Sequence, residues 1–227
     1  IYSIVDQRII IMDAKDPQKM KQVNAIPLNQ NSTPIQLMIH QDMLIIIYDQ
    51  YIEMKPSKSA RHIGGMSMTK AAFYNIKDPA NPKMIREIGQ DGYMNGIRKY
   101  EDVLYIVTNK TPDYWIMTEK ENVELKPYQY DSAKGEEVEP MDIGQLSILP
   151  GTMEPNYTII SAIDLKNLKD KKIETKGYLG GSSTLYMSEN ALYLTAFKFE
   201  MPRTLELEPS SSSEATTSIA RDMIIAP

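Results

Sequence analysis

Short apolar runs recur along the chain, each cut off by the same kind of polar turn. Ile9-Ile10-Ile11-Met12 runs into Asp13-Ala14-Lys15-Asp16-Pro17, Ala72-Phe73-Tyr74 into Asn75-Ile76-Lys77-Asp78-Pro79, and Ile159-Ile160-Ser161-Ala162-Ile163 into Asp164-Leu165-Lys166-Asn167-Leu168. A second block follows each time: Asp42-Met43-Leu44-Ile45-Ile46, Asp102-Val103-Leu104-Tyr105-Ile106 and Asn190-Ala191-Leu192-Tyr193-Leu194. From Asp13 to Asp42, Asn75 to Asp102 and Asp164 to Asn190 the intervals are 29, 27 and 26 positions. Repetition at a near-constant interval of this size marks a modular architecture.

The runs are rich in β-branched and aromatic residues, and Gly and Pro interrupt them too often for helices. Each module reads as four strands. A strand such as Ile35–Ile39, Met94–Arg98 or Thr184–Met187 turns tightly at Gln41-Asp42, Glu101-Asp102 or Glu189-Asn190 into the most apolar strand, Leu44–Tyr48 in the first copy. That run is apolar without alternation, as burial on both faces requires. The strand ending in the Asp/Asn turn comes third. Asx side chains bond backbone amides two residues on, and Pro presets φ, so the turn has a mechanism. The fourth strand (Met20–Val23, Met84–Ile88 or Lys172–Thr175) partly alternates, which predicts a wet outer edge.

Four-stranded antiparallel modules with a buried second strand describe blades of an all-β propeller. The predicted division is a partial blade over 1–28, blades over 34–90 and 93–178, and a partial blade over 182–227, the last continuing beyond Thr217-Ser218-Ile219. This is an incomplete ring of about three blades, read as part of a longer chain. Such a wedge is expected to self-associate through its uncovered blade faces. A two-sheet sandwich is the structural rival, but it leaves the repeated turn unexplained.

The connections from second to third strand grow from Asp6-Gln7-Arg8 to about Asp49–Lys70, Asn109–Asn156 and Phe197–Ala215. Because the strands are antiparallel, these loops share one side of the disc. Repeat proteins carry insertions on their binding face. The second insertion has ten acidic residues, Glu136, Glu137 and Glu139 among them, against four lysines; the first carries Lys55, Lys58, Arg61 and Lys70 against Asp49 and Glu53. A docking surface for a partner protein or a glycan is one reading. Mutual neutralisation or plain solvation is the other. Pro209 followed by Ser210–Ser213 reads as a flexible spacer.

Composition narrows the choice. The chain has 227 residues, 24% of them charged, and a net charge of −5, with no basic footprint for nucleic acid. No apolar run reaches the roughly 18–20 residues of a membrane-spanning helix. Cysteine is absent, which excludes thiol catalysis and disulfides and is compatible with export.

Several side chains are candidates for chemistry. His40 and His62 are the only histidines and belong to no metal-spaced set. Ser182 and Ser183 follow Gly180-Gly181, a turn sequence. Asp13 with Asp16 and Asn75 with Asp78 offer oxygens to calcium or, alternatively, hold turns. Arg98 on an inner strand lines a channel or forms a salt bridge. Glu136-Glu137 with Glu139 offers paired carboxylates for glycoside hydrolysis or is a solvated run. Trp115 beside Tyr114 stacks on a sugar or anchors its loop. The 15 methionines read as core filler. No catalytic, cofactor or metal residue is assigned.

Ile1–Ile4 with Ile11–Ala14, Tyr74–Pro82, Leu104–Thr108, Tyr130-Asp131-Ser132, Leu149-Pro150-Gly151 and Ile160–Leu165 together resemble bacterial and archaeal secreted proteins with a C-terminal β-propeller domain distantly related to WD40 repeats. The resemblance covers the chain up to about Ala196 and implies an extracellular or cell-envelope location and no established activity. The family's acidic motif before Ile1 and its further blades are not in this sequence. The expected function is non-catalytic binding through long loops on one face. The rival is a hydrolase or lyase acting on cell-wall or environmental polymer, with its site at the channel.

Overall fold

The computed structural model describes residues 1–53, 65–112, 125–152, 154–169, 173–180, 184–188, 190–198 and 220–226. Among these, regular structure is strand, apart from 3-10 turns at Pro17–Lys19 and Ile143–Gln145. The strands form four sheets in succession. The first holds β1 (Tyr2–Val5), β2 (Arg8–Asp13) and β3 (Lys21–Pro27), in that order. The second is built on β4 (Ser32–His40), β5 (Met43–Glu53), β6 (Gly65–Asn75) and β7 (Lys83–Asp91). The third is built on β8 (Tyr93–Tyr100), β9 (Val103–Lys110), β13 (Tyr157–Asp164) and β14 (Glu174–Leu179), and the fourth is β15 (Leu185–Met187), β16 (Leu192–Lys198) and β17 (Ala220–Ala226). Meandering antiparallel sheets of this kind, with no closed ring, are the predicted propeller blades.

The repeat superposes in register. Leu44 pairs with Ile39, Leu104 with Lys99 and Leu192 with Met187, always five positions back across the first hairpin. The turn chemistry repeats too. Asp13, Asn75 and Asp164 each accept, through Oδ1, the amide of the lysine two residues on, at 3.1, 2.9 and 3.0 Å. The third-strand turn then docks on the first-strand turn. The Ile76 amide donates to the Asp42 carbonyl and the Leu165 amide to that of Asp102, both at 2.8 Å.

Alternation along the second strand explains how the blades stack. Leu44, Ile46 and Tyr48 face the first sheet, against Ile9, Ile11 and Ile26, together with Ala72, Tyr74 and Ile76. Ile45 and Ile47 face the third sheet with Ala71 and Phe73, against Leu104, Ile106 and Ile163. Leu44 to Ile47 are fully buried, and each side chain of this size contributes roughly 1.5–3 kcal/mol by leaving water. The third and fourth sheets approach closely at Gly96, where an added Cβ would lie 2.6 Å from Leu185 Cδ2.

Two expectations are corrected. The outer strands β7 and β14 are not wet edges along their whole length, since neighbours cover Ile88–Gln90 and Gly177–Leu179. The second sheet has the order β11-β10-β7-β6-β5-β4 and the third β12-β14-β13-β9-β8. The covering strands, β10 (Tyr128–Asp131), β11 (Glu139–Pro140) and β12 (Leu146–Ile148), all come from the Asn109–Asn156 insertion. The described part of that insertion therefore lies on the rim rather than standing on one face, because the unpaired amides and carbonyls of β7 and β14 capture it. The Asp49–Lys70 connection is also shorter than expected, since the β5–β6 ladder continues to Glu53 opposite Gly65. Asp49 and Lys70 are thus strand residues, and Thr69 Oγ1 donates to Asp49 Oδ1 at 2.7 Å. In the fourth sheet the described part of the third strand is Ala220–Ala226, and Thr217-Ser218-Ile219 and the Ser210–Ser213 spacer lie outside the described residues.

Candidate rim crevice between the second and third blades

Residues 125–152 form a strap that crosses from one blade to the next. Its β10 runs antiparallel to β7, with Asp131 opposite Ile88, and its β12 runs parallel to β14, with Leu146 opposite Gly177. Local chemistry at each step explains the path. Asp131 Oδ1 accepts the Ala133 amide at 3.0 Å, so the strand ends in the same Asx turn as the repeats. The Ser132 amide donates to the Glu87 carbonyl and the Glu87 amide to Ser132 Oγ, both at 2.9 Å. Met141, fully buried, plugs the space beside Gly177, and its amide donates to the Pro127 carbonyl at 2.8 Å.

Arg86 on β7 organises the junction. It is 5% exposed. Its Nε and Nη2 donate to the two oxygens of Asp131 at 2.8 and 2.5 Å, and its Nη1 donates to the Leu168 carbonyl of the third blade at 2.6 Å. The bidentate geometry is the strong form of this pair. Burial pushes the Asp131 carboxyl upward, but the Arg86 bonds and the Ala133 amide outweigh it and hold the group below the usual carboxylate range.

On the other face of the second blade, Glu87 gathers a closed cluster. Tyr48 donates to its Oε1, and Lys70 Nζ donates to Oε2 at 3.1 Å while lying 4.1 Å over the ring centre of Tyr130. Burial first, then the Glu87 charge, raises the pKa values of Tyr48, Tyr74 and Tyr130. Deeper in, Asp91 is 1% exposed with Lys110 Nζ 3.3 Å from its Oδ1. Its burial outweighs the lysine and the Tyr128 and Gly92 amides and leaves its pKa raised.

Between strap and blades lies a cavity of about 250 Å³ lined by residues of β7, β10, β13 and β14 and of the strap itself. Ser161 and Thr175 share a hydrogen bond of 2.9 Å at its wall. Gln145 Nε2 donates to the Thr175 carbonyl at 3.1 Å, and its Oε1 accepts the Asp142 amide at 3.0 Å. Asp131, Glu136, Glu137, Glu139 and Asp142 also line it, against Lys134 as the one cation among the described lining residues, and Lys134 Nζ stands 3.9 Å from Glu139. The crevice can therefore take polar or cationic groups.

The sequence candidates fall as follows. Glu136, Glu137 and Glu139 come together at the crevice mouth, exposed. Asp13 and Asn75 hold turns, as do Asp16 and Asp78, which accept the amides of Gln18 and Ala80 at 3.0 and 3.1 Å. His40 Nε2 lies 3.2 Å from Asp102 Oδ1 across the blade interface, and Lys166 Nζ lies 2.5 Å from Oδ2. The Lys166 hydrogen bond holds Asp102 below its ordinary pKa. Arg98 is exposed and donates to the Ile97 carbonyl at 2.8 Å. Met66, Met68 and Met141 are core residues, but Met20 and Met84 are 54% exposed: Met20 precedes β3, and Met84, though paired with Tyr74, lies on the part of β7 that β10 does not cover. His62, Tyr114, Trp115, Ser182 and Ser183 lie outside the described residues. Among the described residues no group of three or more His, Cys, Asp or Glu is placed to hold a metal, and no helix is long and apolar enough to cross a membrane.

The Arg86–Asp131 pair and the Met141 plug were not anticipated. One signal was available: Tyr130-Asp131-Ser132 repeats the aromatic-Asx turn of Tyr74-Asn75-Ile76, and so marks the end of a further strand.

A family model described as a beta propeller domain matches residues 1–223. The chain belongs to the β-propeller domain family. No curated protein and no solved structure matches it. In this propeller the matched span takes in the first three sheets and reaches into β17 of the fourth, and the strap is an insertion within the third blade, between β9 and β13.

Proposed function

We propose that this propeller is a non-catalytic interaction module of the cell surface or extracellular space, and that it docks a partner protein at the rim crevice between its second and third blades. The observation that carries the reading is the strap. The longest insertion builds a polar cavity whose exposed rim residues, Glu136, Glu137, Glu139 and Asp142, are acidic. The buried charged groups around it, Arg86 with Asp131 and Lys70 with Glu87, are paired with each other. A ligand therefore meets the mouth carboxylates first, and complementarity favours a basic partner surface. The location follows the family resemblance, with which the absence of cysteine is compatible.

The test is a pull-down and a glycan array with the full-length protein, repeated with Glu136→Lys, Glu137→Lys and Glu139→Lys combined. These side chains are exposed, so the substitutions spare the fold, whereas deleting the strap uncovers β7 and β14. A captured protein that binds at least tenfold more weakly to the triple variant, and more weakly in high salt, is the expected result. Undiminished binding overturns the crevice as the docking site. Capture of glycans alone overturns the protein partner. Breakdown of a cell-wall or environmental polymer by the purified protein favours the rival enzymatic reading.

A further inference from the structure

Three stretches of the sequence carry the Asn-x-Ser/Thr pattern of N-glycosylation acceptors: Asn31-Ser32-Thr33, Asn109-Lys110-Thr111 and Asn156-Tyr157-Thr158. The fold brings all three to one end of the strands. Lys110 pairs with Tyr157, which puts Asn109 and Asn156 together where β9 ends and β13 begins. Asn31 lies between β3 and β4, where its carbonyl accepts the Tyr51 amide at 3.0 Å near the end of β5, the strand equivalent to β9.

The three differ in what their side chains do. Asn156 Nδ2 donates to Glu154 Oε2 at 3.3 Å. Asn109 Oδ1 accepts from Thr158 Oγ1 at 3.2 Å, and Thr158 is fully buried. Asn156 Nδ2 is thus already engaged and its recognition hydroxyl, on Thr158, is buried, while Asn109 is half-buried at the β9–β13 junction with its amide oxygen held by Thr158. Asn31 is exposed and its side chain makes no hydrogen bond to the described residues; Thr33 is exposed as well. Buried Ser32 lies between them, so the middle residue is tucked in while the two residues of the pattern face water.

We propose that Asn31 is the acceptor for an N-linked glycan, with Thr33 as its recognition hydroxyl. The inference rests on the extracellular or envelope location put forward above. In the transfer, Asn31 Nδ2 forms a bond to the anomeric carbon of an oligosaccharide carried on a polyisoprenoid diphosphate. The anomeric C–O bond breaks, the diphosphate leaves with the bonding pair, and the amide gives up one proton to a base of the transferase. Ser32 and Thr33 pair with Gln50 and Asp49. Transfer therefore takes place before those first pairs of the β4–β5 ladder close, or while they are open, and the attached sugar then stands in water at the base of the β5–β6 hairpin.

Glycopeptide mass spectrometry on the full-length protein from its own host tests this, with envelope, medium and cytoplasm analysed separately. The expected result is exported protein carrying a glycan at Asn31, lost in Asn31→Gln and in Thr33→Ala and kept in Thr33→Ser. The urea midpoint of Asn31→Gln should match the parent, since the side chain is exposed and makes no hydrogen bond to the described residues. Exported protein with Asn31 unmodified overturns the proposal and leaves the location standing, as does a glycan at Asn109 or Asn156 with Asn31 bare. Protein confined to the cytoplasm overturns the location and the acceptor with it.

Discussion

Arg86 and Asp131, 45 positions apart, form a two-pronged ion pair at 2.8 and 2.5 Å that fastens the strap to β7. The same guanidinium reaches the Leu168 carbonyl, so one side chain joins the strap, the second blade and the third. Both partners are largely sequestered, with side-chain exposures of 6% and 13%. Their mutual attraction offsets a desolvation cost that neither could bear alone.

Removing one partner should therefore hurt more than removing a surface pair. Arg86→Met leaves the Asp131 carboxylate and the Leu168 carbonyl without their donor, and a loss of about 3–5 kcal/mol is expected. Arg86→Met combined with Asp131→Leu should recover part of it, because the stranded charge is gone. Urea denaturation of the parent, both single variants and the double variant measures the coupling. Additive losses with no coupling would mean that the pair does not hold the strap.

The two buried carboxylates should tilt stability in opposite directions with pH. The Asp131 pKa is depressed, so its stabilising contribution is complete above the ordinary carboxylate value of about 3.9 and is lost as the pH falls through the folded value. The Asp91 pKa is raised, so its contribution is complete below about 3.9 and is lost as the pH rises through the folded value. Asp131→Asn should flatten the acid limb of the stability profile, and Asp91→Asn should reduce the loss on its neutral side. Urea midpoints between acid and neutral pH check both; identical profiles for parent and variants would refute the assignment.

Backbone conformation sets two substitutions apart. Gly92 joins β7 to β8 at φ +92°, and a Cβ there would sit 2.3 Å from the Asn109 carbonyl oxygen. Gly92→Ala should cost about 2–3 kcal/mol. Gln41 holds the β4–β5 turn at φ +52° with a side chain that disfavours it. Gln41→Gly should gain about 0.5 kcal/mol, relief of roughly 1–2 kcal/mol of strain less the roughly 0.5–1 kcal/mol that glycine loses on ordering. Thermal unfolding should therefore move in opposite directions for the two variants.

The repeating module was legible along the chain. Asp13, Asn75 and Asp164 end their strands by local side-chain-to-backbone bonds, and the apolar run at Leu44–Tyr48 has to be covered on both faces; each follows from residues close together in the chain, so each could be read there. The crevice could not. Whether Glu136, Glu137 and Glu139 stand free or line a cavity depends on where the strap lies. That was decided by the open hydrogen-bonding edges of β7 and β14, by a hole beside Gly177 that admits Met141, and by an arginine on β7 whose carboxylate partner lies far along the chain. Such long-range pairings depend on backbone edges and spaces that exist only once the blades have stacked, so tertiary structure alone placed the candidate site.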